Sequence, residues 1–171
     1  MIIFCSSGVR ALRKRIIAVI GAGKATAEEK RIARAVGAEI AKHGFVLLCG
    51  GLGGVMDAAC AGAISEGGIT IGLLPGTETH DAAPNVEIAI PTGLGEARNY
   101  LVATGAEGVI AIGGSLGTLS ELAFALKKRL PVAALGSWRL DKGQLPPDVE
   151  LYEARDAADA VMFISIRSDH K

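Results

Sequence analysis

Three glycine-rich turns, each placed directly after a short apolar run, constrain the fold of this chain more than any other feature of its sequence. The runs and their turns are Ile16–Ile20 with Gly21-Ala22-Gly23, Phe45–Cys49 with Gly50–Gly54, and Val109–Ile112 with Gly113–Gly117. Continuous apolar runs of this length are typical of strands that are buried on both faces of a parallel sheet. Parallel strands are joined by helices, so the pattern predicts repeated strand–turn–helix units.

The segments between the apolar runs have helical signals. Residues 26–42 begin with Thr26 and Glu29 at capping-box spacing, and Ile32, Val36 and Ile40 follow at helical spacing. Further helices are predicted over 55–66, 94–105, 118–128 and 156–166, and further strands over 69–73, 86–90, 131–135 and 149–152. Residues 161–166 also fit a strand. We therefore expect an α/β fold: one Rossmann-like domain over 16–171, with a doubly wound, mostly parallel sheet and helices on both faces. Residues 1–15 are expected to be an N-terminal extension.

The overall composition excludes several classes of protein. Lys and Arg number 18 and so do Asp and Glu, so there is no basic excess to bind nucleic acid. No apolar run is long enough to span a membrane. Three cysteines are too few for a disulfide framework, and their spacing with the histidines suggests no metal site. A cytoplasmic protein is expected.

The balanced charge conceals an uneven distribution. Residues 1–48 carry nine basic and three acidic side chains, whereas residues 49–126 carry eight acidic side chains and a single basic one, Arg98. The acidic stretch holds most of the glycines. An anion bound there would depend mainly on backbone N–H groups and helix N-termini, with Arg98 assisting.

The glycine turns are the candidate binding site. In open α/β sheets ligands bind at the carboxyl ends of the strands, and glycine lets backbone N–H groups approach an anion. The candidate phosphate-binding residues are Gly21, Gly23, Lys24, Gly51, Gly53, Gly54, Gly113, Gly114, Ser115, Gly117 and Thr118. The alternative interpretation is that these glycines only form tight turns and bind no ligand. The sequence matches neither a dinucleotide-binding fingerprint nor a P-loop. Thr26 stands where the fingerprint requires its third glycine, and Ala25 follows Gly23-Lys24 where a P-loop requires Ser or Thr.

Arg98 and Glu121 are the candidate catalytic residues, if the protein is an enzyme. Glu121 lies three residues after Thr118, on the helix that follows the third glycine turn. Arg98 could order Glu121 and contact a phosphate, and the carboxylate could act as a base or stabilise a developing cation. A carboxylate that merely complements the helix dipole is the alternative.

Three segments together resemble the LOG-like Rossmann superfamily, long labelled "possible lysine decarboxylase". They are Gly50-Gly51-Leu52-Gly53-Gly54-Val55-Met56, Gly95-Glu96-Ala97-Arg98-Asn99 and Gly113-Gly114-Ser115-Leu116-Gly117-Thr118-Leu119-Ser120-Glu121. The superfamily includes nucleoside 5′-monophosphate phosphoribohydrolases and molybdenum cofactor carrier proteins. Thr70–Gly76 and Thr92–Gly95 are more similar to the carrier branch.

The departures from the phosphoribohydrolase pattern favour that branch. Ile112 replaces the proline of Pro-Gly-Gly-x-Gly-Thr-x-x-Glu, and Asn99 replaces the lysine after the arginine. The resemblance thus implies a binding protein for molybdenum cofactor or a nucleotide, with no other cofactor required. The alternative is a phosphoribohydrolase that cleaves an N-glycosidic bond. Nothing resembles a pyridoxal-phosphate lysine, so lysine decarboxylation is not expected. The superfamily also implies a homo-oligomer, a dimer or tetramer.

Overall fold

The computed structural model describes residues 13–168. The strands are β1 Ile16–Gly21, β2 Val46–Cys49, β3 Thr70–Leu74, β4 Ile88–Pro91, β5 Gly108–Ile112, β6 Val132–Leu135 and β7 Leu151–Glu153. The helices are α1 Ala27–Lys42, α2 Val55–Ser65, α3 Arg98–Thr104, α4 Leu116–Lys127 and α5 Ala157–Ser168. Short 3₁₀ turns occur at Thr79–Asp81, Gly95–Ala97 and Lys142–Gln144.

The strands form one seven-stranded sheet in the order β4-β3-β2-β1-β5-β6-β7. Every neighbouring pair is parallel, so the doubly wound fold predicted from the sequence is confirmed. The chain moves outward from β1 to β4 and then returns to place β5 on the other side of β1. This reversal makes β1 and β5 the switch point of the sheet, where ligands bind in folds of this class.

Helices cover both faces of the sheet, as the alternating side chains of β1 show. Ile17 and Val19 belong to the core formed with α1, α2 and α5, whereas Ala18 and Ile20 belong to the core formed with α3 and α4. Because β1 is apolar on both sides, it can occupy the centre of the sheet. The switch point is thus held between two packed layers.

Local signals explain where several helices begin. The predicted capping box at α1 is confirmed: Thr26 N donates to Glu29 at 2.7 Å, and Glu29 N donates to Thr26 Oγ1 at 3.2 Å. Helix α4 begins two residues earlier than predicted, because Ser115 caps it. Segment 94–105 forms a 3₁₀ turn before α3, so Arg98 is the first residue of α3 rather than one turn inside a helix.

The C-terminal segment is a helix and not the alternative strand. Val161 and Ile164 are buried against the sheet while Met162 and Ile166 are exposed, which is the periodicity of an amphipathic helix. Within residues 13–168, none of the helices combines the length and apolar character that crossing a bilayer needs. Residues 1–12 of the predicted extension 1–15, which include Cys5, lie outside the described residues.

Candidate functional site

The loops after β1 and β2 are in direct contact at the carboxyl edge of the sheet. Val55 N, at the start of α2, donates to Ala22 O at 3.1 Å. Gly54 has a φ of 69° and lies so close to the Ala22 and Gly23 carbonyls that a Cβ atom would overlap them. A side chain at this position is excluded by both the dihedral angle and the neighbouring backbone. The segments Gly21 to Lys24 and Gly51 to Gly54 therefore lie side by side at this edge, with Gly51 buried and Gly23 and Gly53 exposed.

The loop after β5 is held from two sides by side chains. The Glu29 carboxylate of α1 lies against Gly113, where a Cβ atom would overlap Oε1. The Trp138 indole lies against Gly114, with Nε1 2.6 Å from the position of a Cβ atom, and Nε1 donates to Ser115 O at 3.1 Å. Gly113 and Gly114 thus have a packing reason to be glycine that involves no ligand.

Each of the three glycine-rich segments also contains one glycine that packing does not explain, and in the third segment this glycine is the second residue of α4. Gly23, Gly53 and Gly117 are exposed, lack a positive φ, and have no protein atom closer than 3.6 Å to the position of a Cβ atom. Their missing side chains leave open space beside the backbone at the carboxyl edge. A ligand that approaches the backbone closely would account for this shared property.

The first turn of α4 offers free hydrogen-bond donors. Ser115 and Thr118 satisfy one another: Ser115 N donates to Thr118 Oγ1 at 3.3 Å, and Thr118 N donates to Ser115 Oγ at 3.5 Å. Among the described residues, the N–H groups of Leu116 and Gly117 have no partner. Thr118 is buried, so its hydroxyl belongs to the cap, and the open donors are backbone groups.

Arg98 and Glu121 meet beneath this edge. Arg98 Nη1 lies 3.5 Å from Glu121 Oε1, and both residues are buried, with 6% and 7% of their surfaces exposed. The guanidinium lies directly against Gly50, where any side chain would overlap it. Arg98 Nε is buried and has no hydrogen-bond partner among the described residues. The sequence analysis suggested that Arg98 could order Glu121, and the structure brings the two side chains together.

Burial shifts the protonation equilibria of both groups. Burial raises the pKa of Glu121 to about 7, although the positive charge of Arg98 acts to lower it. Burial also lowers the pKa of the Arg98 guanidinium, and the Glu121 carboxylate opposes that effect. Glu121 can therefore exchange a proton near neutral pH, which suits either a general acid–base group or a buried carboxyl with a structural role.

Other residues named from the sequence lie around this centre. Lys24 is exposed at the β1 loop. Cys49 and Cys60 are both buried, with their Sγ atoms 3.6 Å apart. Within residues 13–168, no group of three His, Cys, Asp or Glu side chains is placed to hold a metal ion.

Glu29 and Trp138 were not assigned to the site from the sequence. Glu29 was recognised only as a helix-capping residue, and its contact with Gly113 depends on the pairing of β1 with β5. Trp138 belongs to none of the sequence motifs described above. The one available signal was its position just after the predicted strand 131–135, whose carboxyl end adjoins that of β5 in a parallel sheet.

The fold and the switch-point loops define a Rossmann-like α/β protein with glycine-rich loops at its binding edge. The chain belongs to the SLOG cluster4 family, whose sequence profile matches residues 14–164. An uncharacterised protein of Archaeoglobus fulgidus is 46% identical over 121 residues, which cover 70% of this chain and 78% of that protein.

Two solved structures are similar over nearly the whole chain. The molybdenum cofactor binding protein of the phototrophic bacterium Rippkaea orientalis is 40% identical with a TM-score of 0.81, covering 94% of this chain and 100% of that one. A molybdenum cofactor carrier protein of Chlamydomonas reinhardtii is 37% identical with a TM-score of 0.80, covering 93% and 100%. The resemblance to the carrier branch noted in the sequence is thereby confirmed.

Proposed function

We propose that this protein binds a phosphorylated small molecule, molybdenum cofactor or a nucleotide, at the carboxyl edge of β1, β2 and β5. The observation that carries the proposal is the set of three open glycines: Gly23 and Gly53 in the loops after β1 and β2, and Gly117 in the first turn of α4. The similarity to molybdenum cofactor binding and carrier proteins supports molybdenum cofactor as the first ligand to test.

The phosphate is proposed to bind at the first turn of α4. The free N–H groups of Leu116 and Gly117 point out of the helix N-terminus, where the helix dipole favours an anion. The absence of a side chain at Gly117 keeps that approach open. Arg98 is the only Lys or Arg of residues 49–126, and its unpaired Nε is a donor that a bound ligand or water could satisfy.

Identifying what copurifies with the protein tests the proposal directly. Mass spectrometry of the released small molecules is expected to find a phosphorylated compound, and calorimetry is expected to show affinity for molybdenum cofactor or a nucleoside monophosphate. If no phosphorylated compound is released and neither ligand binds, the proposal is wrong.

A substitution at Gly117 tests the location. Gly117→Ala adds a methyl group that meets no protein atom closer than 3.6 Å, and alanine is the better helix residue. Stability is therefore expected to be unchanged within about 1 kcal/mol, while affinity for the phosphorylated ligand falls about tenfold or more, since the methyl group blocks the backbone donors. Unchanged affinity would place the phosphate elsewhere.

Glu121 favours a second candidate function, hydrolysis of the N-glycosidic bond of a nucleoside 5′-monophosphate. A buried carboxyl with a pKa of about 7 beside Arg98 is suited to stabilise an oxocarbenium-like ribose or to activate the attacking water. Incubation with AMP, followed by analysis for free adenine and ribose 5-phosphate, separates the two functions. Turnover that is lost in Glu121→Gln supports the hydrolase, and no turnover with any nucleoside monophosphate excludes it.

A further inference from the structure

The Glu29 carboxylate lies at the switch point with one oxygen engaged and the other free. Oε2 accepts from Thr26 N at 2.7 Å and from Thr26 Oγ1 at 2.9 Å. Oε1 faces Gly113 and has no hydrogen-bond partner among the described residues. The capping hydrogen bonds fix the carboxylate, so Oε1 is a preorganised acceptor at the carboxyl end of β5.

An aromatic side chain lies against the next residue of the same loop. Trp138 contacts Gly114, and its hydrogen bond to Ser115 O fixes the indole while about a third of the side chain stays exposed. Beside it is an open cavity of about 410 Å³, lined by Gly113, Gly114, Gly136, Ser137, Trp138 and Arg139. Ser137 Oγ is buried there and has no partner among the described residues.

Glu29 from α1 lies against Gly113, while Trp138 and Ser137 follow β6 and line the cavity beside Gly113 and Gly114. A charged acceptor, an aromatic ring and an unsatisfied hydroxyl grouped around this loop suit a planar nitrogen heterocycle. Heterocycles of pterins and purines offer a π-face for stacking on an indole and N–H groups for a carboxylate. Phosphate suits this place less, because Glu29 would repel it and because Arg139, the basic side chain that lines the cavity, is paired with Glu153 at 3.7 Å. The proposed phosphate position at Gly117 lies three residues after Gly114, in the first turn of α4.

We propose that Glu29 and Trp138 form a heterocycle-binding subsite, in which Glu29 Oε1 accepts from an exocyclic amino group and Trp138 packs against the ring. This inference rests on the proposed function, since it concerns the other end of the phosphorylated ligand. It makes Glu29 the residue that selects amino-substituted ring systems.

Guanosine and inosine 5′-monophosphate are matched probes, because they differ only in the exocyclic amino group. Trp138 is the only tryptophan of the chain, so its fluorescence reports ligand binding at the subsite directly. The guanosine nucleotide is expected to bind about tenfold more tightly than the inosine nucleotide, as a hydrogen bond to a charged acceptor allows, and both should change the Trp138 emission.

Glu29→Gln tests the assignment. The glutamine oxygen can keep the bond from Thr26 N, and its NH₂ group then faces the ligand amino group, donor against donor. The preference for the guanosine nucleotide is expected to fall to about onefold to twofold. Glu28→Gln is the matched control, because Glu28 is exposed on the same turn and pairs with Arg31; it should keep the preference.

Each other outcome has a defined meaning. Equal binding of the two nucleotides by the unaltered protein, a preference that survives in Glu29→Gln, or calorimetric binding without a change in Trp138 emission overturns the subsite. If neither nucleotide binds but molybdenum cofactor does, the subsite assignment is wrong while the proposed function stands. If no phosphorylated ligand binds, both fail.

Discussion

At the scale of single residues, Glu121 links the site to stability through its protonation. Its pKa is about 7 in the folded protein, whereas the ordinary pKa of a glutamate side chain is 4.5. Between these values the folded state holds a proton that the unfolded state releases, so the free energy of unfolding falls as pH rises from about 4.5 to about 7. Below this pH window Glu121 does not lower the free energy of unfolding, and above the window the decrease that it causes is complete.

This pH dependence is measurable by difference. The free energy of unfolding of the unaltered protein minus that of Glu121→Gln is expected to fall between pH 5 and pH 8, by at most about 1.4 kcal/mol per pH unit within the window. Urea denaturation at several pH values gives the difference. Glu66→Gln, at an exposed position, should show no such trend. A rising or flat difference for Glu121→Gln contradicts the assignment.

Arg98 is expected to hold the same centre together. Arg98→Met removes the charge that acts to lower the pKa of Glu121, so that pKa should rise further. At pH 8 the free energy of unfolding should fall by about 3–5 kcal/mol, because a buried carboxylate loses its partner. In the double variant with Glu121→Gln, the loss should be less than the sum of the two single losses. Additive losses would mean that the two groups do not interact.

At the scale of elements, short-range patterns carried most of what the sequence could predict. These patterns are the apolar runs of β1, β2 and β5 and the Thr26–Glu29 capping box. Each of them spans only a few residues of the chain, and the structure confirms each one. The start of α4 was placed too late because Ser115 was assigned to a ligand and not to the helix cap.

Contacts between elements could not be predicted in the same way. Glu29 with Gly113, and Arg98 with Glu121, join residues that only the strand order brings together. The sequence suggested that Arg98 orders Glu121 but did not establish that the two side chains touch, and it held no signal that Glu29 would lie against Gly113. The glycine pattern was equally ambiguous, since packing accounts for Gly113 and Gly114 while Gly117 stays open.

The crossing of α1 and α2 shows a glycine requirement of a purely structural kind. A Cβ atom at Gly37 would overlap Ala59 O, and one at Gly62 would overlap Arg34 O, so the two helix backbones are in contact. Gly37→Ala is therefore expected to lower the free energy of unfolding by about 1–3 kcal/mol, although alanine alone favours a helix by about 1 kcal/mol. Chemical denaturation measures this, with Gly117→Ala as the control. Increased stability of Gly37→Ala would refute the close contact.

At the scale of the whole molecule, one face of the sheet presents a group of exposed apolar side chains close to the proposed phosphate position. Leu94, Tyr100, Leu101 and Leu116 are exposed on or just before α3 and α4, which pack against each other. Leu116 is 77% exposed at the first position of α4, directly beside Gly117. Burial of such side chains is the main driving force for association, so this face is where we expect the homo-oligomer to form.

An oligomer built on this face would couple assembly to ligand binding. Leu101→Asp combined with Leu116→Asp is expected to give monomers in sedimentation equilibrium, because a charge at a buried apolar contact is costly. Affinity for the phosphorylated ligand should fall in parallel, since Leu116 adjoins the proposed phosphate donors. Ile166→Asp, on α5 and the opposite face of the sheet, is the matched control and should leave the oligomer intact. Monomers from Ile166→Asp alone would move the interface to α5, and a monomeric unaltered protein would show that the expected homo-oligomer does not form.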